Sequence, residues 1–125
     1  MGKGCHVYSS ARIWAPWNLE MADGACLGPE VDCYNLGKIS IGAGTVVSQK
    51  VHLCSGTHDY RDPKFQLLLL PISIGRDVWL CTECFIGPGV SIGDRAVIGA
   101  RSVCLKDMPS EMVCAGHPCQ PMKKR

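Results

Sequence analysis

His58 is the residue best suited to chemistry in this chain. Imidazole is the side chain whose ordinary pKa lies nearest neutrality, so an outward-facing histidine can take a proton from a reacting hydroxyl and pass it on. His58 stands five places after the aliphatic Leu53, at an outward position, and opens the segment His58-Asp59-Tyr60-Arg61. Asp59 could orient its ring through a hydrogen bond, although adjacent side chains on an extended chain point opposite ways. A metal reading is weak. The four histidines are His6, His52, His58 and His117, and none has a second imidazole 18 residues away to stack upon it. Of the nine cysteines only Cys81 and Cys84 form a CxxC pair, and no second pair completes a zinc site. We therefore expect no metal.

The bulk composition removes other classes. The formal charge is +2, and the only dense basic run is Lys123-Lys124-Arg125, too short to indicate a nucleic-acid surface. The longest leucine run, Leu67 to Leu70, is far below the roughly 20 residues needed to cross a bilayer. The opening Met1-Gly2-Lys3-Gly4-Cys5-His6 has no apolar signal core, so the cysteines read as small hydrophobes in a reducing, cytoplasmic setting.

The elements that must hold His58 follow from a period of six. Ile74-Gly75, Leu80-Cys81, Ile86-Gly87, Ile92-Gly93 and Ile98-Gly99 repeat an aliphatic residue followed by a small one. Val78, Cys84, Val90, Ala96 and Ser102 keep a small or β-branched residue four places after each aliphatic. The same frame runs through Ile41, Val47 and Leu53, and more weakly through Met21, Leu27 and Cys33, with two extra residues near Gly37 and Lys38. Six fits neither a helix nor a simple strand alternation. Three hexapeptides make one triangular turn of three short strands, with the aliphatic residue inside and the small one where the backbone turns sharply. The expected fold is all-β: a parallel β-helix of about four coils, at 21–40, 41–58, 74–91 and 92–109, with a protruding loop over 59–73. Residues 1–20 are expected to be a lead-in or cap, and 110–125 a tail. An antiparallel sandwich is the alternative, disfavoured by five consecutive repeats in frame. The period does not fix the hand of the coil.

Several stretches carry a resemblance: Ile13-Trp14-Ala15-Pro16-Trp17-Asn18-Leu19, Tyr34-Asn35-Leu36-Gly37, Ser48-Gln49, Ser55-Gly56-Thr57-His58-Asp59-Tyr60, and Ile98 to Val103 running into Lys106-Asp107-Met108-Pro109. With the hexapeptides, they make the chain resemble the left-handed β-helix acetyltransferases, in particular the branch associated with colanic-acid and exopolysaccharide biosynthesis. The resemblance implies the left hand, a homotrimer with active sites between prisms, and acetyl-CoA as co-substrate. It implies O-acetylation of a saccharide hydroxyl, with His58 as general base.

By the same resemblance Asn35 would hydrogen-bond the acceptor or the neighbouring subunit, and Trp79 would line the acceptor groove and wall the pantetheine arm or thioester, while Tyr60, on the loop that would wall the acceptor site, would contact the acceptor. The amide-bearing arm would run past Thr82 and Ala100, and the phosphates would meet Lys106 and, more weakly, Lys123. Two departures stand out. Gln120 follows Gly116-His117-Pro118-Cys119 where the family commonly has a basic residue, and relatives usually carry a longer segment ahead of the first coil, which bears on the acceptor and on activity. An amine or antibiotic acceptor, or a non-catalytic scaffold, stays open.

Overall fold

A computed structural model describes residues 1–125, and the chain winds as a three-sided prism. The first coil carries β1 (His6–Val7), β2 (Arg12–Ile13), a 3-10 turn at Pro16–Asn18 and β3 (Leu19–Met21). The second carries β4 (Cys26–Leu27), β5 (Asp32–Tyr34) and β6 (Ile39–Ile41). The third carries β7 (Val46–Val47) and β8 (His52–Cys54), detours through β9 (Gly56–His58) and β10 (Leu67–Leu69), and closes on β11 (Ile72–Ile74). Two regular coils follow: β12 (Trp79–Leu80), β13 (Phe85–Ile86) and β14 (Ser91–Ile92), then β15 (Val97–Ile98) and β16 (Val103–Cys104), with Met108 bridging to Ile92 in place of a third strand. The chain ends in the hairpin of β17 (Met112–Gly116) and β18 (Cys119–Lys124).

Three parallel faces result. The first runs β1-β4-β7-β12-β15-β17-β18, the second β16-β13-β8-β5-β2, and the third β14-β11-β6-β3. Every coil-to-coil pairing is parallel, and only the two hairpins pair antiparallel. The hexapeptide aliphatics form vertical ladders inside the prism: Leu27, Val47, Leu80 and Ile98 on the first face, Cys33, Leu53, Ile86 and Cys104 on the second, Met21, Ile41, Ile74 and Ile92 on the third. All are at most 3% exposed. Burying each such aliphatic contributes about 1.5–3 kcal/mol, so a prism one side chain wide is held by repetition along its axis.

The structure departs from the sequence expectation in two places. Residues 1–20 are not a mere lead-in: β1 and β2 pair in parallel with β4 and β5 as a coil of their own. Val7 and Ile13 hold the inward places but stay partly exposed, since no coil covers them on one side, and the frame is correspondingly weak there. The loop boundaries also move. The chain leaves the prism at Gly56, three residues before Asp59, and Ser73 is already back in β11.

The glycines after the aliphatics open the corners without being their left-handed residues. Gly42, Gly75, Gly87, Gly93 and Gly99 do not adopt left-handed backbone; that conformation falls elsewhere in each corner, at Gly24, Gly44, Asp77 (φ 52°) and Arg95 (φ 61°), and at Lys50, Glu83 and Arg101. Residues after the aliphatics are small because the next coil lies against them. A β-carbon at Gly42 would overlap the Gly75 carbonyl group, which is backbone and cannot rotate away. Gly42→Ala is therefore expected to destabilise the protein by about 1–3 kcal/mol, the usual cost of overpacking, read as a lowered urea midpoint.

The outward residues differ by face. The third presents Glu20, Ser40, Ser73 and Ser91. The first presents Val46, Trp79, Val97 and Val113, and the second Phe85 and Val103 beyond His52. Two faces are thus apolar toward the later coils and one is polar.

Candidate active site

The third coil is interrupted where a regular turn would pass from β8 to β11. Its neck is closed by the Leu70 amide donating to the Ser55 carbonyl at 2.8 Å. The buried Ser55 hydroxyl accepts from the Gly37 amide at 3.0 Å and lies 2.8 Å from the Gly37 carbonyl. Gly37 belongs to the coil with two extra residues, so that insertion and the hairpin root fit one another. From this neck β9 and β10 project as an antiparallel pair, with His58 opposite Leu67. The four leucines only half cover themselves: Leu67, Leu69 and Leu70 are 41–48% exposed.

His58 stands exposed at the end of β9. Its Nδ1 lies 3.0 Å from the Phe65 carbonyl oxygen. A carbonyl can only accept, so Nδ1 carries the hydrogen and the lone pair belongs to Nε2. The ring stacks on the Phe65 ring with centroids 4.1 Å apart and planes 10° from parallel. The ring is held at one nitrogen, and the other is free to accept a proton.

Asp59 does not orient the imidazole. Its Oδ1 accepts from the Arg61 amide at 3.1 Å, and its own amide donates to the Gln66 carbonyl, so the carboxylate shapes the loop while Phe65 holds His58. The reason is the strand alternation that sends neighbouring side chains apart. Tyr60 is 78% exposed, and with Asp59, Arg61 and Leu68 it lines a shallow cleft beside His58.

Asn35 is not at the surface either. It is fully buried; its Oδ1 accepts from the Ala15 amide at 2.8 Å and its Nδ2 donates to the Ala15 carbonyl at 2.7 Å. No atom is left facing outward for an acceptor, because the side chain turns into the prism to bind the first coil.

Trp79 lies on the first face, away from the hairpin, half exposed and donating from Nε1 to the Ser48 hydroxyl at 2.9 Å. It lines a separate cleft with Val46, Asp77 and Arg95. Thr82 and Ala100 stack at the corner between the first and second faces; the Thr82 hydroxyl donates to the Gln49 carbonyl, and its carbonyl accepts from the Arg101 amide. Lys106 shares a third cleft with Gln120 in the last coil, and Lys123 sits exposed on β18 opposite Val113. One prism therefore gathers His58, Asp59 and Tyr60, and separates them from Trp79, Thr82, Ala100, Lys106 and Lys123.

All nine cysteines are free thiols. Burial pushes Cys33, Cys84 and Cys104 up to about 12, so they stay protonated and serve as core side chains, the two of the second-face ladder among them. His52 stacks edge-on with Phe85 and His6 with Tyr8. Two residues of the site escaped the sequence reading: Ser55, whose inward place in a polar segment was the available sign, and Phe65, whose left-handed backbone has no sign in the sequence.

A prism of hexapeptide coils interrupted by a histidine-bearing hairpin is an arrangement shared with known proteins. The model of the bacterial transferase hexapeptide (six repeats) matches residues 71–106. A protein of Escherichia coli K12 designated a colanic acid biosynthesis acetyltransferase, WcaF, is 43% identical over the whole of this chain, which covers 69% of that protein. Among solved structures, a maltose O-acetyltransferase from Clostridium difficile 630 superposes with a TM-score of 0.83 at 29% identity, over 99% of this chain and 68% of that one. A galactoside acetyltransferase in complex with coenzyme A gives 0.69 at 26% identity, over 95% and 64%. The chain belongs to the hexapeptide-repeat acetyltransferases, and its fold is their left-handed parallel β-helix.

Proposed function

We propose that this protein transfers an acetyl group from acetyl-CoA to a hydroxyl of a saccharide, with His58 as general base. The observation that carries the reading is the Nδ1 contact to the Phe65 carbonyl, which leaves Nε2 of an exposed imidazole free to accept a proton. Acetyl-CoA, as substrate, supplies an activated thioester. Nε2 takes the acceptor's hydroxyl proton as its oxygen attacks the thioester carbonyl, and the imidazolium returns that proton to the departing sulfur. A carbonyl partner suits this cycle, since it holds Nδ1–H in both protonation states of the ring.

The saccharide is favoured by the relatives' designations, colanic acid biosynthesis for one and maltose or galactoside for the solved structures. Coenzyme A in a structure of the same fold supports the donor. The separated residues favour a homotrimer with sites between copies. The apolar outward residues of the first and second faces would pack copy against copy, bringing the His58 hairpin of one prism beside Trp79, Thr82 and Ala100 of another. Lys106 and Lys123, at the far end of the prism, would meet the phosphates of the extended donor. No helix is long and apolar enough to cross a membrane. Free thiols and an acetyl-CoA donor favour the cytoplasm.

Titration calorimetry with acetyl-CoA, followed by thiol release against a panel of saccharides and amines, tests the reading. Binding with release on hydroxyl acceptors is expected. Release only with amines would overturn the acceptor class, and absence of binding would leave a scaffold.

A further inference from the structure

We propose that Phe65 is a positioning residue for the base: its ring holds the His58 imidazole in the plane where Nδ1 meets the Phe65 carbonyl, fixing the tautomer that leaves Nε2 unprotonated. The inference deepens the reading of His58 as base and rests on it. One residue makes both contacts. Its carbonyl oxygen is 3.0 Å from Nδ1, and its ring lies parallel to the imidazole at 4.1 Å between centroids.

The backbone at Phe65 is what allows both. Phe65 has φ 50°, a left-handed conformation that bulky residues rarely adopt. It is held there by its amide donating to the Asp62 carbonyl at 2.8 Å, and by the Asp59 amide donating to the Gln66 carbonyl at 2.9 Å. Left-handed backbone brings a residue's β-carbon toward the following carbonyl oxygen, so the ring and the carbonyl of Phe65 can both face His58. Strained backbone persists where its surroundings over-determine it, and such sites cluster around function. The Phe65 ring has no place in the core: it is 56% exposed, on a loop outside the prism, with the imidazole against one face. A ring so exposed adds little to stability by burial, which leaves the stack as its main contact.

The stack matters for two physical reasons. A neutral histidine free in water populates both tautomers, and only the Nδ1–H form presents a basic Nε2 to the acceptor. During proton transfer the ring becomes cationic, and an aromatic face attracts a cation placed over it. Without the ring, the imidazole can rotate about its side-chain bonds, lose the carbonyl and adopt the opposite tautomer.

The test compares wild type with Phe65→Leu, which keeps bulk but removes the aromatic face, and Phe65→Tyr, which keeps it. Turnover, acetyl-CoA affinity by calorimetry, and NMR of the imidazole nitrogens are read on each, with His58→Ala alongside. Phe65→Leu is expected to lower kcat about ten- to hundredfold, as misplacement of a reacting group does, with acetyl-CoA affinity unchanged. Its imidazole signals should move from the Nδ1–H form toward a mixture, and Phe65→Tyr should restore both readouts. A wild-type signal from Nε2–H would overturn the proposal without any variant, and so would a Phe65→Leu protein with wild-type kcat or an unmoved tautomer signal. If His58→Ala retains full turnover, the base assignment falls, while the nitrogen signals still decide whether Phe65 sets the tautomer.

Discussion

His58→Ala is expected to lower turnover at least about a hundredfold while leaving acetyl-CoA affinity nearly unchanged, since a positioned general base typically contributes 10²–10⁴. Affinity would be spared because, on the proposed reading, His58 acts on the acceptor's hydroxyl proton, while the donor's arm and phosphates would be held by other residues, Trp79 and Lys106 among them. Stability is spared because the side chain is exposed and its one hydrogen bond is made at the surface. The measurement is steady-state thiol release with saturating donor and acceptor, paired with donor calorimetry. A variant that keeps wild-type turnover removes His58 from the mechanism; one that loses donor affinity instead makes it a binding group. His58→Gln is the finer probe: its amide can donate toward the Phe65 carbonyl but is too weak a base to complete the cycle, so it should be as slow as alanine.

Much of this molecule was legible because a six-residue period is a direct image of a three-sided coil. Each inward place needs an aliphatic and each corner leaves little room, so Ile74, Leu80, Ile86, Ile92 and Ile98 register as a pattern whatever lies between them. The pattern fades where its physical cause fades. At the open end Val7 and Ile13 are only partly covered, and the first coil could be read as a lead-in. The small residues after the aliphatics have a cause that the period does not show: Gly42 is small because Gly75 lies against it, and left-handed backbone is carried two places on by Gly44, Asp77 and Arg95. Charged side chains tolerate that conformation at exposed corners, and those at neighbouring levels pair, as Arg95 does with Glu111 at 3.1 Å and Arg101 with Glu83 at 3.6 Å. Such surface pairs contribute at most about 1 kcal/mol each, which is why residue type varies freely there.

The site was less legible than the fold, for a reason visible in Asp59 and Phe65. Spacing along the chain shows which residues are near in sequence, and a carboxylate next to a histidine suggests a pair. On a strand that nearness sends the two side chains apart, and the group that holds His58 comes from seven residues on, across a turn whose shape depends on one left-handed residue. A backbone carbonyl has no sequence signature. The placement of Trp79 away from His58 belongs to the same limit, because spacing along the chain does not tie a residue to the hairpin; in the proposed trimer the two would meet across copies.

Asn35 offers the sharpest separation between a binding role and a structural one. Its amide group makes two hydrogen bonds to Ala15, which is itself 3% exposed, and so ties the second coil to the first. In Asn35→Ala the Ala15 amide would lose its partner in a place water does not reach, while the Ala15 carbonyl keeps the bond from the Asn18 amide at 2.8 Å. One orphaned buried donor costs about 1–3 kcal/mol, and the volume vacated by the side chain adds to it. The expected result is a clear fall in the urea midpoint, with the acceptor KM of the folded protein close to wild type. Asn35→Asp should fall as well: its carboxylate can still accept from the Ala15 amide but faces the Ala15 carbonyl with no hydrogen to offer, unless it takes up a proton. The protonated acid would restore the second bond, so this variant should gain stability relative to wild type as pH drops through the carboxylate range. Asn35→Ala with unchanged stability and a raised acceptor KM would reverse the assignment, requiring the side chain to swing out from Ala15 to meet the sugar.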